Sequence, residues 1–185
     1  MALAFVFPGQ GSQAVGMGRD LAAAFPVARE VFEAVDETLK QHLSRLMFEG
    51  EPAELTLTAN AQPALMAVSL AVLRVLEHEG GWRLRDKAAL VAGHSLGEYS
   101  ALAAADAFDV ATAARLLRLR GDAMQAAVPE GVGAMAALLG AEAEQAAAIC
   151  ERAAPIPEGA EGAGRRQLEH RGDPQVAQRP HAQVP

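Results

Sequence analysis

Residues 88–105 read AALVAGHSLGEYSALAAA, and this stretch decides the fold. Its first five residues are wholly apolar and predict a buried strand, and the part after Gly97 predicts a helix through about Ala105. Between them Gly93-His94-Ser95-Leu96-Gly97 has the glycine–x–serine–x–glycine spacing that is typical of a nucleophile elbow. Such a turn exposes the serine hydroxyl at a helix N-terminus, where backbone N–H groups can stabilise an oxyanion. The pattern alone leaves one alternative, an ordinary tight turn with a capping serine.

The rest of the chain alternates strands and helices in the same way. Leu3 to Phe7 is a short apolar run that ends at Pro8-Gly9, which predicts a first buried strand. Apolar spacing and composition predict helices over 22–39, from 61 to the glycine pair 80–81, over 110–127 and over 141–154, and a strand over 133–140. This order predicts an α/β fold, a parallel sheet with flanking helices on both faces. Residues 155–185 lose the periodicity, and their proline and glycine content predicts a disordered tail.

Composition narrows the class of protein. The 185 residues suffice for one domain with a buried core. The net charge of −7 argues against nucleic acid and anionic membrane surfaces as partners. The single cysteine, Cys150, excludes an intramolecular disulfide, and no uninterrupted apolar run reaches the ~18 residues that span a bilayer. We therefore expect a soluble, cytoplasmic protein.

Two further features are candidates for a binding site. The glycine-rich loop 7–13 (FPGQGSQ) follows the first predicted strand, and such loops line the ligand crevice of open α/β sheets. It matches neither a Walker loop nor a dinucleotide fingerprint, and a purely structural turn fits it equally well. Arg120 lies among apolar residues in a predicted helix. Its spacing alone favours a surface residue with a buried stem over a bidentate clamp for a carboxylate.

Five segments of the chain form a pattern that is more specific than any one motif. They are residues 5–13 (FVFPGQGSQ), 62–65 (QPAL), 93–102 (GHSLGEYSAL), 120–125 (RGDAMQ) and 133–137 (GAMAA). In this order and at this spacing they resemble the malonyl-CoA:acyl carrier protein transacylases of fatty acid biosynthesis. The resemblance covers roughly residues 1–154.

The resemblance implies a fold, a reaction and a set of site residues. Residues 1–128 would belong to a hydrolase-like large domain, and 129–154 would begin a small ferredoxin-like subdomain that is left incomplete. Ser95 would take the malonyl group from malonyl-CoA as an ester and pass it to the phosphopantetheine thiol of acyl carrier protein. The backbone N–H groups of Gln10 and Leu96 would form the oxyanion hole, and Arg120 would bind the malonyl carboxylate. No metal or other cofactor is implied.

The chain departs from the family in its histidines. His94 is next to Ser95, but neighbours at a strand–helix turn point in different directions, so a structural role is favoured over that of general base. The family carries its catalytic histidine in well over a hundred further residues that have no counterpart here. We expect a shift of reading frame near 155–165, and a truncated chain that is weakly active or inactive because strands that close the core are missing.

Three alternatives remain open from the sequence. A serine esterase or thioesterase of another α/β family shares the elbow, but it does not require the Gln10 loop or Arg120. A non-catalytic fragment is the second alternative. An acyltransferase domain of a polyketide synthase is the third, although the first motif begins within ten residues of Met1, as in a free-standing protein.

Overall fold

The structure is a computed structural model that describes residues 3–127 and 140–153. The chain forms two compact units, Met1–Gly133 and Ala134–Pro185, and each is described by itself. The strand predicted over 133–140 falls almost wholly outside the described residues, and so does the predicted tail 155–185.

The first unit contains two strands and eight helices among its described residues. In chain order they are β1 (Leu3–Phe7), α1 (Arg19–Ala24), α2 (Pro26–Leu39), α3 (Leu43–Glu49), α4 (Pro52–Thr56), α5 (Thr58–Gly80), α6 (Leu84–Lys87), β2 (Ala88–Gly93), α7 (Leu96–Ala104) and α8 (Val110–Ala127). The described part of the second unit contains α9 (Ala143–Ala153). A parallel sheet with helices packed against it is therefore confirmed.

Proline and glycine explain where the helices break. The sequence predicts one helix over 22–39, but the chain forms two, because Phe25 is extended with φ −126° and ψ 116°. A residue before proline avoids the helical region, and Pro26 then starts α2 at the position where proline is tolerated best. At the other end of the next long helix, Gly81 adopts φ 62° and ends α5, as predicted. This helix begins at Thr58, one turn earlier than the predicted Ala61.

Helix α5 is the core of the first unit. By length and composition it is the one helix of the described residues that could span a membrane, but 67% of its most apolar window is buried inside the protein. It packs against α8, α2 and α7. Residues 60–67 of α5 are all buried, so this part has the character of a core helix of a globular domain, whereas Val72 and Leu76 in its second half are exposed.

The start of α5 and the second half of α8 approach each other very closely. Gly121 of α8 is buried, and a Cβ atom placed there would lie 2.6 Å from the Cα atom of Ala59 and 2.9 Å from the carbonyl oxygen of Thr58. Glycine therefore allows two backbones to meet without a side chain between them. The contact brings Arg120, the neighbour of Gly121, beside the first turn of α5.

The two strands form a parallel pair, and the sequence prediction about their burial is wrong. The register pairs Ala4 with Leu90 and Val6 with Ala92. One face of the pair packs on the helices, and Phe7 on that face is only 6% exposed. The opposite face is open: Val6 is 72% exposed and Leu90 is 54% exposed. Wholly apolar strands predict cover on both faces, and in the part of the chain described here only one face has it.

Candidate active site

Ser95 occupies the turn between β2 and α7 in a backbone conformation that side chains rarely adopt. Its φ is 55° and its ψ is −110°, and it is the residue that precedes the first turn of α7. A non-glycine residue held in such a region costs about 1–3 kcal/mol, which the surrounding structure must supply. The side chain is exposed. This is the geometry that the glycine–x–serine–x–glycine pattern predicts for a nucleophile elbow.

The two glycines of the pattern allow the turn to close. A Cβ atom on Gly93 would collide with the backbone of Gly97, and a Cβ atom on Gly97 would lie 2.8 Å from the carbonyl oxygen of Pro8. The elbow is therefore packed directly on the loop that follows β1. The backbone N–H of His94 donates a hydrogen bond of 3.1 Å to the carbonyl oxygen of Phe7, which continues the sheet pairing into this contact.

Arg120 reaches the serine from α8. Its Nη2 atom donates a hydrogen bond of 2.8 Å to the Oγ atom of Ser95, and its Nη1 atom donates one of 2.6 Å to the Oε1 atom of Gln62. The spacing of apolar residues favoured a surface role for Arg120, whereas the structure turns its guanidinium to the candidate nucleophile. A planar, always charged group held at two points is suited to binding a carboxylate beside the reacting serine.

Gln62 is the buried residue that holds Arg120 in place. Its side chain has no exposed surface. Besides accepting from Arg120, it donates through Nε2 to the Oγ1 atom of Thr58 at 2.8 Å and to the sulfur of Met124 at 3.3 Å. Thr58 in turn donates to the Oε1 atom of Gln10 at 2.9 Å. A continuous chain of side-chain hydrogen bonds thus links the glycine-rich loop to Ser95 through α5 and α8.

The predicted oxyanion donors belong to the two loops that meet at the elbow. Leu96 is the first residue of α7, so its backbone N–H has no acceptor within the helix. Gln10 lies in the loop after β1, the loop whose Pro8 carbonyl oxygen contacts Gly97. Among residues 3–127, neither of these two amides donates to a protein acceptor. Their assignment as an oxyanion hole stays a prediction.

Histidines and metal ligands are not brought to the serine. Within the described ranges, the Oγ atom of Ser95 has Arg120 as its hydrogen-bond partner and no histidine. The ring of His94 lies against Gly9, since a Cβ atom on Gly9 would stand 2.3 Å from its Nδ1 atom. No group of three or more histidine, cysteine or acidic residues that could hold a metal ion occurs among the residues that the structure describes.

A second polar cluster joins the same two helices two residues away along each of them. Arg118 donates through Nη1 to the Oδ1 atom of Asn60 at 3.2 Å and through Nη2 to the side-chain oxygen of Gln41. Asn60 is 6% exposed, and its Nδ2 atom donates to the backbone oxygen of Glu54 at 2.9 Å. The two arginines two positions apart on α8 are therefore each held by a buried amide of α5.

Sequence reasoning missed Thr58 and Gln62 as site residues. Gln62 was part of a family-like segment without a role, and Thr58 was placed in a connection. The available signal was the pair of polar residues at 58 and 62, one helical turn apart and directly before the apolar run 63–68. Residues four apart share a helix face, so such a pair indicates a polar contact at a buried surface.

The chain matches a family model and a set of relatives. Residues 4–156 match the model described as "Acyl transferase domain". The malonyl CoA-acyl carrier protein transacylase of Bacillus subtilis strain 168 is 52% identical over 142 residues, which are 77% of this chain and 43% of that protein. The protein of the same name from Escherichia coli K12 is 49% identical over 151 residues, which are 82% of this chain and 48% of that protein.

Solved structures show the same likeness. The acyl-carrier-protein-S-malonyltransferase of Bartonella henselae superposes with a TM-score of 0.77 at 58% identity, over 83% of this chain and 49% of that chain. A malonyl-transacylase solved in complex with its type II polyketide synthase acyl carrier protein gives a TM-score of 0.65 at 49% identity, over 71% of this chain and 41% of that chain. The chain thus spans somewhat less than half the length of the relatives it matches.

Proposed function

Since this chain belongs to the acyl transferase domain family, we propose that it carries the nucleophile half of a malonyl-CoA:acyl carrier protein transacylase site. The reaction moves a malonyl group from malonyl-CoA to the phosphopantetheine thiol of acyl carrier protein in fatty acid biosynthesis. The proposal is supported by the transacylase names of relatives at about half identity. It needs no metal and no organic cofactor, because both half-reactions are acyl transfers between oxygen and sulfur.

The proposed chemistry has two balanced steps. The Oγ atom of Ser95 attacks the thioester carbonyl of malonyl-CoA, the carbon–sulfur bond breaks, and the serine proton passes to the departing sulfur, so that coenzyme A leaves as its thiol. The thiol of acyl carrier protein then attacks the resulting ester, takes the malonyl group and returns the proton to the serine oxygen. Each tetrahedral adduct carries one negative oxygen, which the N–H groups of Gln10 and Leu96 would receive.

One observation carries the proposal: the Nη2 atom of Arg120 lies 2.8 Å from the Oγ atom of Ser95. A guanidinium fixed beside a strained, exposed serine matches an acyl group whose far end is a carboxylate. An acetyl group would leave the partly buried charge without its anion, so the site should favour malonyl over acetyl. An esterase acting on uncharged substrates would gain nothing from an arginine at this position.

The finer parts of the fold and the cell compartment belong to the same proposal. We place residues 1–128 in a hydrolase-like large domain and 129–154 at the start of a ferredoxin-like subdomain. The similar transacylase in complex with a polyketide synthase acyl carrier protein supports a carrier protein as partner. A cytoplasmic location follows from the soluble substrates, and neither nucleic acid nor a membrane takes part.

The test is acylation of Ser95. The purified chain is incubated with malonyl-CoA or acetyl-CoA, and the modified residue is identified by mass spectrometry of peptides. We expect a malonyl ester on Ser95 that is absent in Ser95→Ala. In Arg120→Met, which keeps an unbranched apolar stem but removes the charged guanidinium, the preference for malonyl over acetyl should fall roughly ten- to hundredfold.

Other outcomes identify the alternatives. Cleavage of an uncharged ester that is equal in wild type and Arg120→Met would favour a serine esterase or thioesterase. Identical behaviour of wild type and Ser95→Ala in both assays would favour a non-catalytic fragment. Turnover with acyl carrier protein should be far below that of the Escherichia coli relative, because the described residues give Ser95 no histidine partner. Equal turnover would contradict that expectation.

A further inference from the structure

The side-chain hydrogen bonds between Arg120 and the glycine-rich loop can run in one direction only. A guanidinium donates and never accepts, so Gln62 must turn its oxygen to Arg120 and its amino group to the Oγ1 atom of Thr58. The Thr58 hydroxyl has one proton, and it donates that proton to the Oε1 atom of Gln10 at 2.9 Å. The donor-only chemistry of Arg120 therefore fixes the orientation of both amides and of the hydroxyl between them.

Thr58 ties the outer part of this loop, residues 10–13, to a helix. The other two side-chain hydrogen bonds of the outer part are internal to the loop. In the part of the chain that the structure describes, no further hydrogen bond joins residues 10–13 to a helix or a strand. Packing adds little here, since a Cβ atom on Gly11 would meet no atom within 4 Å. The position of the outer loop therefore depends on the Thr58 hydroxyl.

This tether acts on the backbone of Gln10, whose N–H group the proposed function assigns to the oxyanion hole. The side chain of Gln10 is exposed, so neighbouring atoms do little to hold it. A donor stabilises a developing oxyanion best when it is held in place before the reaction begins. Fixing the far end of the Gln10 side chain restricts the rotation of its backbone. Thr58, the first residue of α5, supplies the fixed point.

We propose that Thr58 is a positioning residue for acyl transfer, whose hydroxyl holds the Gln10 N–H in place for the oxyanion. Its side-chain hydrogen bonds in the described structure go to Gln10 and Gln62 and not to Ser95, so it acts on the reaction at one remove. The same hydrogen-bond chain thereby holds the carboxylate clamp at one end and the oxyanion donor at the other. This inference rests on the proposed function, since it needs an acyl group that reaches Ser95.

The kinetic test compares Thr58→Val with the wild type in the malonylation of Ser95. Valine keeps the branched shape of threonine and removes the hydroxyl. The initial rate of ester formation is measured by mass spectrometry over a range of malonyl-CoA concentrations. We expect the maximal rate to fall about tenfold, less than the roughly hundred- to thousandfold cost of losing an oxyanion donor outright. The half-saturating concentration should change by less than about twofold, because Gln62 still holds Arg120.

A second measurement does not depend on acylation. In NMR relaxation, the order parameters of the Gln10 and Gly11 amides should fall from about 0.85 to about 0.6 in Thr58→Val, because the loop loses its tether. Thr58→Ser restores the hydroxyl and should return the order parameters and the rate to nearly wild-type values. Thr38→Val is the matched control: Thr38 is also half-buried, and its hydroxyl donates to Ala34 within its own helix. Both readouts should be unchanged in this control.

A variant at the other end of the bond shows whether the two side chains act together. Gln10→Met removes the acceptor from an exposed side chain and leaves the backbone N–H in place, so the fold should be unaffected. It should lower the maximal rate as much as Thr58→Val does. The double variant should be no slower than either single variant, because both substitutions break the same hydrogen bond.

Three results would overturn the proposal. One is an unchanged order parameter of the Gln10 and Gly11 amides in Thr58→Val. Another is a maximal rate that does not fall although these amides have become mobile. The third is a double variant whose loss of rate is the product of the two single losses. A wild-type chain without malonylation at Ser95 would contradict the proposed function itself, and the order parameters would still decide whether Thr58 holds the loop.

Discussion

Replacing Gly121 by alanine should destabilise the protein, although the same change in an exposed helix would stabilise it. The added Cβ atom would stand 2.6 Å from the Cα atom of Ala59 and 2.9 Å from the Thr58 oxygen. Carbon atoms in contact prefer about 3.5 Å, so α5 and α8 must separate by about 1 Å. Overpacking of this kind costs about 1–3 kcal/mol, with the upper end expected because the nearest atoms are backbone. Alanine has a higher helix propensity than glycine, which offsets about 1 kcal/mol of this cost, so the free energy of unfolding should fall by about 2 kcal/mol.

The same displacement of α8 from α5 should also change the geometry of the candidate active site. Gln62 lies on α5 and Arg120 on α8, and the hydrogen bond between them is 2.6 Å long. A separation of about 1 Å stretches it to roughly 3.6 Å, which is no longer a hydrogen bond. We therefore expect Gly121→Ala to lower the preference of Ser95 for malonyl-CoA over acetyl-CoA, in addition to its effect on stability.

Urea unfolding followed by the fluorescence of Trp82, the one tryptophan of the chain, measures the change in free energy. Asp122→Ala is the control, because Asp122 is exposed on the same helix and its replacement should change the free energy of unfolding by no more than about 0.5 kcal/mol. A Gly121→Ala protein as stable as the wild type, or more stable, would refute the close approach of the two helices.

Three further predictions concern single side chains. Ser95→Gly should be about 1 kcal/mol more stable than Ser95→Ala in the same urea assay, since only glycine relieves the φ of 55°; equal stabilities would mean that the elbow is not strained. Ser100→Ala should raise the free energy of unfolding by about 1 kcal/mol, because the buried Ser100 hydroxyl has no partner among the described residues. The control is Ser69→Ala, which removes a hydroxyl that donates to the Leu65 carbonyl oxygen and should not raise the free energy of unfolding. A larger decrease in this free energy for Ser100→Ala than for the control would contradict the prediction. Hydrogen bonds from the backbone and side chain of Thr112 lower the pKa of Asp109, so its stabilising contribution is complete above pH about 4 and is lost as the pH falls through the lowered pKa. Asp109→Asn should flatten that part of the stability profile, measured by urea unfolding between pH about 5 and 2.

Helices and strands whose bounds depend only on neighbouring residues were predicted well from the sequence. The bounds of β1 and α8 follow from an apolar run and from helical spacing, and both elements lie where they were expected. The split of the first helix at Phe25 was also readable, because Pro26 disfavours a helical residue before it. The sequence analysis did not use that signal and therefore predicted one helix where the structure has two.

The candidate site could be predicted only in part, because its contacts join elements that are far apart in sequence. The elbow at Ser95 is a local pattern, and the structure has the expected turn there. The contact of Arg120 with Ser95 depends on how closely α8 approaches α5, which no local pattern encodes. The spacing of the neighbouring apolar residues alone predicts a surface position for Arg120. The hydrogen bond from Arg120 to Gln62 depends on the packing of α8 against α5, so only the structure identifies Gln62 as the residue that holds Arg120.

The sequences of β1 and β2 alone do not predict the open face of the sheet, although the resemblance led us to expect that strands which close the core are missing. An apolar strand carries the same sequence whether its cover is present or absent, because the residues that provide the cover lie elsewhere. Val6 and Leu90 were therefore expected to be buried, and the structure has them exposed.

The parallel pairing of β1 with β2 has a consequence for the order in which the molecule folds. Residues 8–87 lie between the paired strands, so the chain must close a loop of that length before the pairing can form. Closing so long a loop is slow, whereas the helices within it need only local contacts. The helical layer should therefore assemble first and the strands pair late. Since the tight bend at the end of β2 rests on the loop after β1, the geometry of the candidate site is completed only in the last stage of folding.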